Sequence, residues 1–146
     1  MQNPTMHHLR ILSLALVFGL AACSKSTPPT KTELISKAWK YASFKATSNG
    51  IMVDVLQQLT ACKKDDIIRF KSDKSLTQEE GATKCAPTDP QIISTGTWAF
   101  SADEKSMTYG GRTATIVELT ATSLKIQYQE TGPPAAMVDL ALVPAE

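Results

Sequence analysis

The residues of this 146-residue chain that could do chemistry are few: Cys62 and Cys85, the doublets Asp65-Asp66 and Glu79-Glu80, the run Gly110-Gly111-Arg112, and two histidines, His7 and His8. Two cysteines suggest either a structural bridge or a redox pair. Redox pairs keep their cysteines a few residues apart, whereas a Cys62–Cys85 bridge closes a loop of about 24 residues, which favours the structural reading and a stabilisation of roughly 3 kcal/mol from loop closure. Paired carboxylates suggest acid/base work or a calcium site. Neighbours on a strand point to opposite faces, so neither doublet puts both members into one site. One member of each could still meet the other across a hairpin turning at Ser72–Lys74, but catalysis would also need a substrate cleft. Gly110-Gly111-Arg112 has the look of a phosphate loop, yet no helix signal follows, and a β-hairpin turn accounts for it.

The histidines decide what is excluded. Both lie in an N-terminal segment, Met1–Ala22, that carries His7, His8 and Arg10, then an apolar run from Ile11 to Phe18, then Gly19-Leu20-Ala21-Ala22 before Cys23. The apolar run is shorter than the roughly 20 residues a membrane-spanning helix needs, and the segment reads as a secretory signal. Leu20-Ala21-Ala22-Cys23 resembles the lipobox of bacterial lipoproteins, which implies diacylation of Cys23 as the mature N-terminus. Each acyl chain contributes roughly 0.8 kcal/mol per buried methylene, so two or three chains anchor a soluble domain to a membrane. Without residues 1–22 no histidine remains, which removes Ser-His-Asp and Cys-His sites and His-ligated zinc. Arg10 is the only charged side chain lost, so the 15 basic residues fall to 14, equal to the 14 acidic ones. A neutral domain with dispersed lysines has no electrostatic footprint for nucleic acid. In the oxidising compartment a signal implies, Cys62 and Cys85 pair by default.

The elements that must position these residues read as short strands. Residues 23–32, rich in Ser, Thr, Pro and Lys, form a flexible tether; the lipoproteins that Leu20–Cys23 resembles often carry an acidic block after the lipidated cysteine when sent to the cell exterior in the Bacteroidetes, so its absence here implies, by that resemblance, a periplasm-facing position on the outer membrane. Residues 33–146 form the folded domain. Thr32 caps one helical turn through Lys37 that plugs an end of the strand assembly. Lys40–Lys45 alternates as a strand, with Trp39, Tyr41 and Ser43 on one face and Lys40, Ala42 and Phe44 on the other. Asn49-Gly50 is a turn; Val53–Ala61 is ambiguous, since Val53, Leu56, Leu59 and Thr60 are spaced for a short helix while Ile51-Met52-Val53 could begin a strand, and it reads best as a loop with a helical turn leading to Cys62. Asp66, Ile68 and Phe70 share a strand face; Ser72–Lys74 turns, and Ser75–Glu80 returns. Cys85–Pro90 is a loop. Gly96, Trp98 and Phe100 share a face of the next strand, followed by strands at Ser106–Tyr109, Arg112–Leu119 and Ser123–Gln129, the last with Leu124, Ile126 and Tyr128 inward. A final strand puts Val138, Leu140 and Leu142 on one face.

Seven or eight short strands at roughly ten-residue spacing with hairpin connections predict an all-β domain, most economically a small antiparallel up-and-down β-barrel, since closure removes exposed edges; a sandwich is the alternative. The residues also resemble a family. Ala61-Cys62 with Lys64-Asp65-Asp66, then Phe70, Gly81-Ala82-Thr83-Lys84-Cys85, Thr95-Gly96-Thr97-Trp98 and Thr115-Ile116-Val117-Glu118-Leu119 look like the lipocalin-like domain of Bacteroidetes lipoproteins, over about Glu33 to Val143. The resemblance implies a lipocalin-like barrel in a cell envelope and no particular activity. Two departures stand out: Lys37 occupies the glycine position of the lipocalin Gly-x-Trp, and Lys74 sits where a turn favours positive φ and hence glycine.

Trp39, Phe70, Trp98, Phe100 and Tyr128 are the candidates to line an interior ligand pocket, the alternative being that they are plain core. The leading expectation is a lipid-anchored, non-enzymatic module that uses no cofactor or metal and binds a small apolar ligand in or at the mouth of the barrel. The second is an interaction or inhibitor module for an envelope protein, in the manner of small disulfide-bearing barrel lipoproteins that inhibit lysozyme, acting through the Pro-stiffened loop Lys84–Gln91.

Overall fold

The computed structural model describes residues 27–145; the signal segment 1–22 and Cys23 lie outside the described residues. Nine strands form one sheet in the order β2-β1-β3-β4-β5-β6-β7-β8-β9, and β1 also pairs with β9. That last pairing closes the barrel. The closed wall comprises eight antiparallel strands: β1 (Ala38–Ser48), β3 (Ile67–Phe70), β4 (Ser75–Glu79), β5 (Ile92–Phe100), β6 (Ser106–Tyr109), β7 (Arg112–Leu119), β8 (Leu124–Glu130) and β9 (Ala136–Pro144). The short β2 (Ile51–Asp54) is an appendage that folds back on the end of β1 through the Asn49-Gly50 turn. A barrel rather than a sandwich is therefore what the alternating pattern builds.

One end is plugged. Helix α1 (Lys31–Ile35) is capped by Thr30, whose side chain accepts from the Glu33 amide while the Glu33 carboxylate accepts from the Thr30 amide. The cap is thus Thr30, not Thr32, because only Thr30 stands three residues before a glutamate. Lys31 Nζ reaches the Glu104 carbonyl, Lys74 Nζ the Thr32 hydroxyl and Lys37 Nζ the Ala121 carbonyl, so α1 and the residues just after it are tied to three turns at the same end. Ile35 and Trp39 are fully buried beneath it, and the Trp39 indole N–H donates to the Ile35 carbonyl at 2.8 Å.

The strand pattern in β1 holds only to Tyr41. Tyr41 pairs with Leu142 but Ser43 with Ala141, so Ala42 is a bulge that shifts the alternation by one. Phe44 therefore faces the interior with Tyr41, their rings 6.0 Å apart, rather than the outer face with Lys40. Residues 53–61 are likewise more ordered than a loop: Val53 belongs to β2, which continues into α2 (Val55–Gln58), capped by Asp54, and α3 (Ala61–Lys64) carries Cys62. The inward faces of β3, β8 and β9 are occupied as their period of two predicts.

The two lysines at glycine positions have a common explanation. Lys74 does adopt positive φ, 70°, and its ammonium lies 4.0 Å from the Trp98 ring centre; Lys37 lies 5.4 Å from that of Trp39. Each covers a tryptophan at the plugged end, where a cation over an indole face gains about 0.5–1 kcal/mol, enough to offset much of the backbone strain at Lys74.

Candidate functional site

Side chains along the barrel axis change character from end to end. At the plugged end Trp98 packs edge-on against Phe70 and Phe100, with ring centres 5.8 and 5.2 Å apart, and its indole N–H donates to the Lys71 carbonyl. Phe70 then meets Tyr109, and Tyr109 meets Tyr128, each pair at 6.2 Å. The column thus passes from tryptophan and phenylalanine, which fill space, to tyrosines, which also carry hydroxyls.

The tyrosine end is open. A cavity of about 190 Å³ there is lined by Tyr41, Phe44, Ile68, Gln78, Tyr109, Arg112, Tyr128 and Leu140, which come from seven of the eight wall strands. It is the barrel mouth. A second space of about 420 Å³ shares Ile68, Gln78, Tyr109 and Arg112 with it and continues past Gly96 to Gly110-Gly111. That opening exists because β6 pairs only with Trp98–Phe100 of β5, leaving the first half of β5 without a neighbour on that side. Of the five aromatics considered for a pocket, Tyr128 lines the mouth. Trp39, Phe70 and Trp98 are buried in the packed lower barrel, and half-buried Phe100 packs against that core. The residues that sequence reading passed over are Tyr41, Phe44 and Tyr109; the bulge hid Phe44, while Tyr109 follows Met107 in the same alternation and was legible.

Charge is distributed unevenly around the mouth. Arg112 is engaged twice, by the Glu130 carboxylate at 3.3 Å and by the Tyr128 ring 5.7 Å from its guanidinium carbon. On β3 and β4, Arg69 and Glu79 form a two-pronged pair at 2.9 and 3.0 Å on the outer face. Arg69 and Thr77 hold the Glu79 carboxyl below the usual carboxylate range against the opposing effect of burial. Asp66 and Glu80 instead point inward, both buried. Burial pushes the Asp66 carboxyl up, and so do the nearby charges of Glu80 and Asp65. Burial, and then Asp66, push the Tyr41 hydroxyl up to about 12, so it is a neutral hydrogen-bonding group across the physiological range. One member of each carboxylate doublet does therefore meet the other across the β3–β4 hairpin, while Glu79 is taken by Arg69.

The rim over this corner is held covalently. Cys62 on α3 and Cys85 form a disulfide. Thr83 donates its amide to Asp65 Oδ2 at 2.9 Å, Glu80 its amide to the Gln91 carbonyl at 2.9 Å, and the Gln91 side chain returns to the Glu80 carbonyl at 2.6 Å. Gly81 lies so near Asp65 that a Cβ would sit 2.1 Å from its carbonyl oxygen.

The family model described as a lipocalin-like domain matches residues 35–126. The chain belongs to the lipocalin-like domain family. No curated protein matches it. The match begins at Ile35 under the plug and takes in Cys62 and Cys85, both tryptophans, Asp66 and Glu80. A lipocalin-like barrel of this kind is a small-ligand-binding fold, generally used for binding rather than catalysis. Among the described residues no helix is long and apolar enough to cross a membrane, and no group of three or more His, Cys, Asp or Glu is placed to hold a metal ion.

Proposed function

We propose that this lipocalin-like protein is a non-enzymatic binding module that takes a small ligand with an apolar body into the mouth of its barrel. The observation that carries the reading is the asymmetry of the barrel: one end sealed by α1 and tryptophans, the other holding a cavity of about 190 Å³ walled by aromatic rings with hydroxyl, amide and guanidinium groups at its edge. A dry engineered cavity of about 150 Å³ accepts benzene, so the space suits a ligand body of about one ring, with the side opening available for a longer substituent.

The lipobox-like Leu20–Cys23 supports a lipid anchor, and the absence of an acidic block after Cys23 supports a periplasm-facing outer-membrane position. The chain enters the barrel through α1, at the plugged end. An anchor there would put the plug toward the membrane and the mouth toward the aqueous compartment from which a ligand is captured.

The test is to titrate the protein with p-cresol, following tyrosine ring resonances by NMR, in the natural chain and in Gln78→Trp, which fills the cavity. Saturable shifts at Tyr41, Tyr109 and Tyr128 that vanish in the variant are expected. Shifts confined to other rings, or unchanged in the variant, would contradict the reading. The inhibitor-type alternative draws support from one observation: Ile92 and Ile93, 50% and 42% exposed, adjoin the exposed loop Lys84–Gln91. It predicts a protein partner lost on Ile92→Asp with p-cresol binding intact.

A further inference from the structure

Asp66 and Glu80 stand just beyond Ile67–Glu79, the last pair of the antiparallel β3–β4 ladder, each two residues along the chain from a member of the Ile68–Gln78 pair that lines the mouth. The two carboxylates are 5% and 7% exposed. Asp66 Oδ1 and Glu80 Oε2 have no hydrogen-bond partner among the described residues, and the one bond to Asp66, from Gln78 Nε2 to Oδ2, is long at 3.4 Å. Glu80 lies near enough for its charge to act on the Asp66 carboxyl; like charges facing each other between neighbouring strands are unfavourable even at a surface, and buried charges are normally paired. Yet the ion pairs among the described residues use Glu79, Glu104, Glu118 and Glu130, and neither of these two.

No cation among the described residues forms an ion pair with either carboxylate. Facing Asp66 are Tyr41 from β1, Gln78 from β4, Glu80 just after β4, Asp65 beside it and Lys63 from α3, the last exerting the weakest of the effects on its carboxyl. Across the barrel the one cation lining the cavity, Arg112, is already engaged by Glu130 and the Tyr128 ring. What is unmet in this mouth is therefore negative. Among the described residues no group of three or more acidic residues, histidines or cysteines is placed to hold a metal ion. An organic ammonium, with three donors, matches two orphaned carboxylate oxygens and finds tyrosine faces beside them.

We propose that Asp66 and Glu80 are the head-group site of the mouth cavity and that the ligand is a small primary amine, its ammonium between the two carboxylates and an apolar group of about one ring among Tyr41, Tyr109 and Tyr128. This rests on the mouth being the binding site. Gln78, held to Asp66 only by its long bond, is the side chain that yields to admit the ammonium.

The test is calorimetric titration of the purified full chain near neutral pH with three probes of one shape: 2-phenylethylamine, 2-phenylethanol and 3-phenylpropanoate. The amine is expected to bind about tenfold or more tightly than the alcohol, as a charge-assisted bond to a desolvated carboxylate provides. Asp66→Asn with Glu80→Gln abolishes the amine's advantage over the alcohol. Equal binding of amine and alcohol overturns the head-group assignment while the cavity stands as a binding site. Preference for the propanoate overturns it in favour of Arg112. If none of the three binds, the mouth is not the site and both readings fall. The comparison of probes on the natural chain decides the matter even if the double variant does not fold.

Discussion

Substituting Gly81 by alanine tests whether the rim of the mouth is built by close backbone approach. Gly81 is not among the glycines with positive φ, so left-handed backbone strain is not what would oppose a side chain there. The obstacle is steric. The added Cβ would lie 2.1 Å from the Asp65 carbonyl oxygen and 2.6 Å from both its carbonyl carbon and its Cγ. Two of those atoms are backbone and cannot rotate away, so the strand ends must separate by about 1 Å to restore a normal contact. Forced separation of this kind costs about 1–3 kcal/mol. It also strains the Thr83 amide to Asp65 and the Glu80 amide to Gln91. At about 2 kcal/mol and a urea dependence of about 1–3 kcal/mol per molar, the midpoint of unfolding falls by about 1 M. The control is Gly132→Ala, where a Cβ meets nothing within 4 Å; surface changes of that sort stay within about 0.5 kcal/mol. Urea titration followed by tryptophan fluorescence reads both, and hydrogen exchange should show lost protection at Glu80 and Thr83 but not at Trp39. A Gly81→Ala protein within about 0.5 kcal/mol of the natural one would refute the steric argument.

Replacing Cys62 and Cys85 together by alanine removes a bridge spanning 23 positions and should cost about 3 kcal/mol in equilibrium unfolding; a loss below about 1 kcal/mol would show that the unfolded chain is not what the bridge restrains. Lys74→Ala keeps the positive φ but loses the contacts to Trp98 and Thr32, so it should destabilise by about 1 kcal/mol, whereas Lys74→Gly, which relieves the backbone, should lie nearer the natural protein; the reverse order would contradict the account of that turn. Two carboxyls of the β3–β4 hairpin, Glu79 in it and Asp66 just before it, should give stability opposite pH dependences. Glu79, held low by Arg69, contributes stability above the ordinary carboxylate value that is lost as pH falls through its folded pKa. Asp66, pushed up by burial, is better tolerated protonated, so stability declines as pH rises from the ordinary value through its raised one. Asp66→Asn should accordingly be more stable than the natural protein near neutral pH in urea titrations across pH, and a less stable variant would mean that Asp66 is compensated by something other than the groups that surround it here.

Much of this barrel is written in the chain at a period of two. Leu124, Ile126 and Tyr128, Val138, Leu140 and Leu142, and Asp66, Ile68 and Phe70 all face inward as their alternation requires, because one face of each strand must be buried and the other solvated. Reading fails where the period itself is interrupted. The Ala42 bulge reverses the face of Phe44, and no residue there announces it, since a bulge in β1 follows from its register with β9 rather than from local preference. For β2 the sequence offers a strand at Ile51-Met52-Val53 only as an alternative to a loop: these residues are exposed and lack alternation, and they become a strand because β1 extends past its pairing with β3. The helix cap, by contrast, was readable, since Thr30-Lys31-Thr32-Glu33 is a capping-box sequence. The cavity was only half legible. Which inward aromatics fill the barrel and which line its mouth depends on how far along the axis each strand places them. That distance is set by stagger between strands, so Trp39 and Trp98 fall at the sealed end and Tyr41, Tyr109 and Tyr128 at the open one.

The central claim, a ligand held in the open mouth of a sealed barrel, is most directly tested by native mass spectrometry on the protein isolated from the cells that make it, beside Gln78→Trp isolated in the same way. The account predicts a reproducible small added mass on the natural chain that leaves on denaturation and is missing from the variant. A bare mass for both, or the same added mass on both, would contradict it.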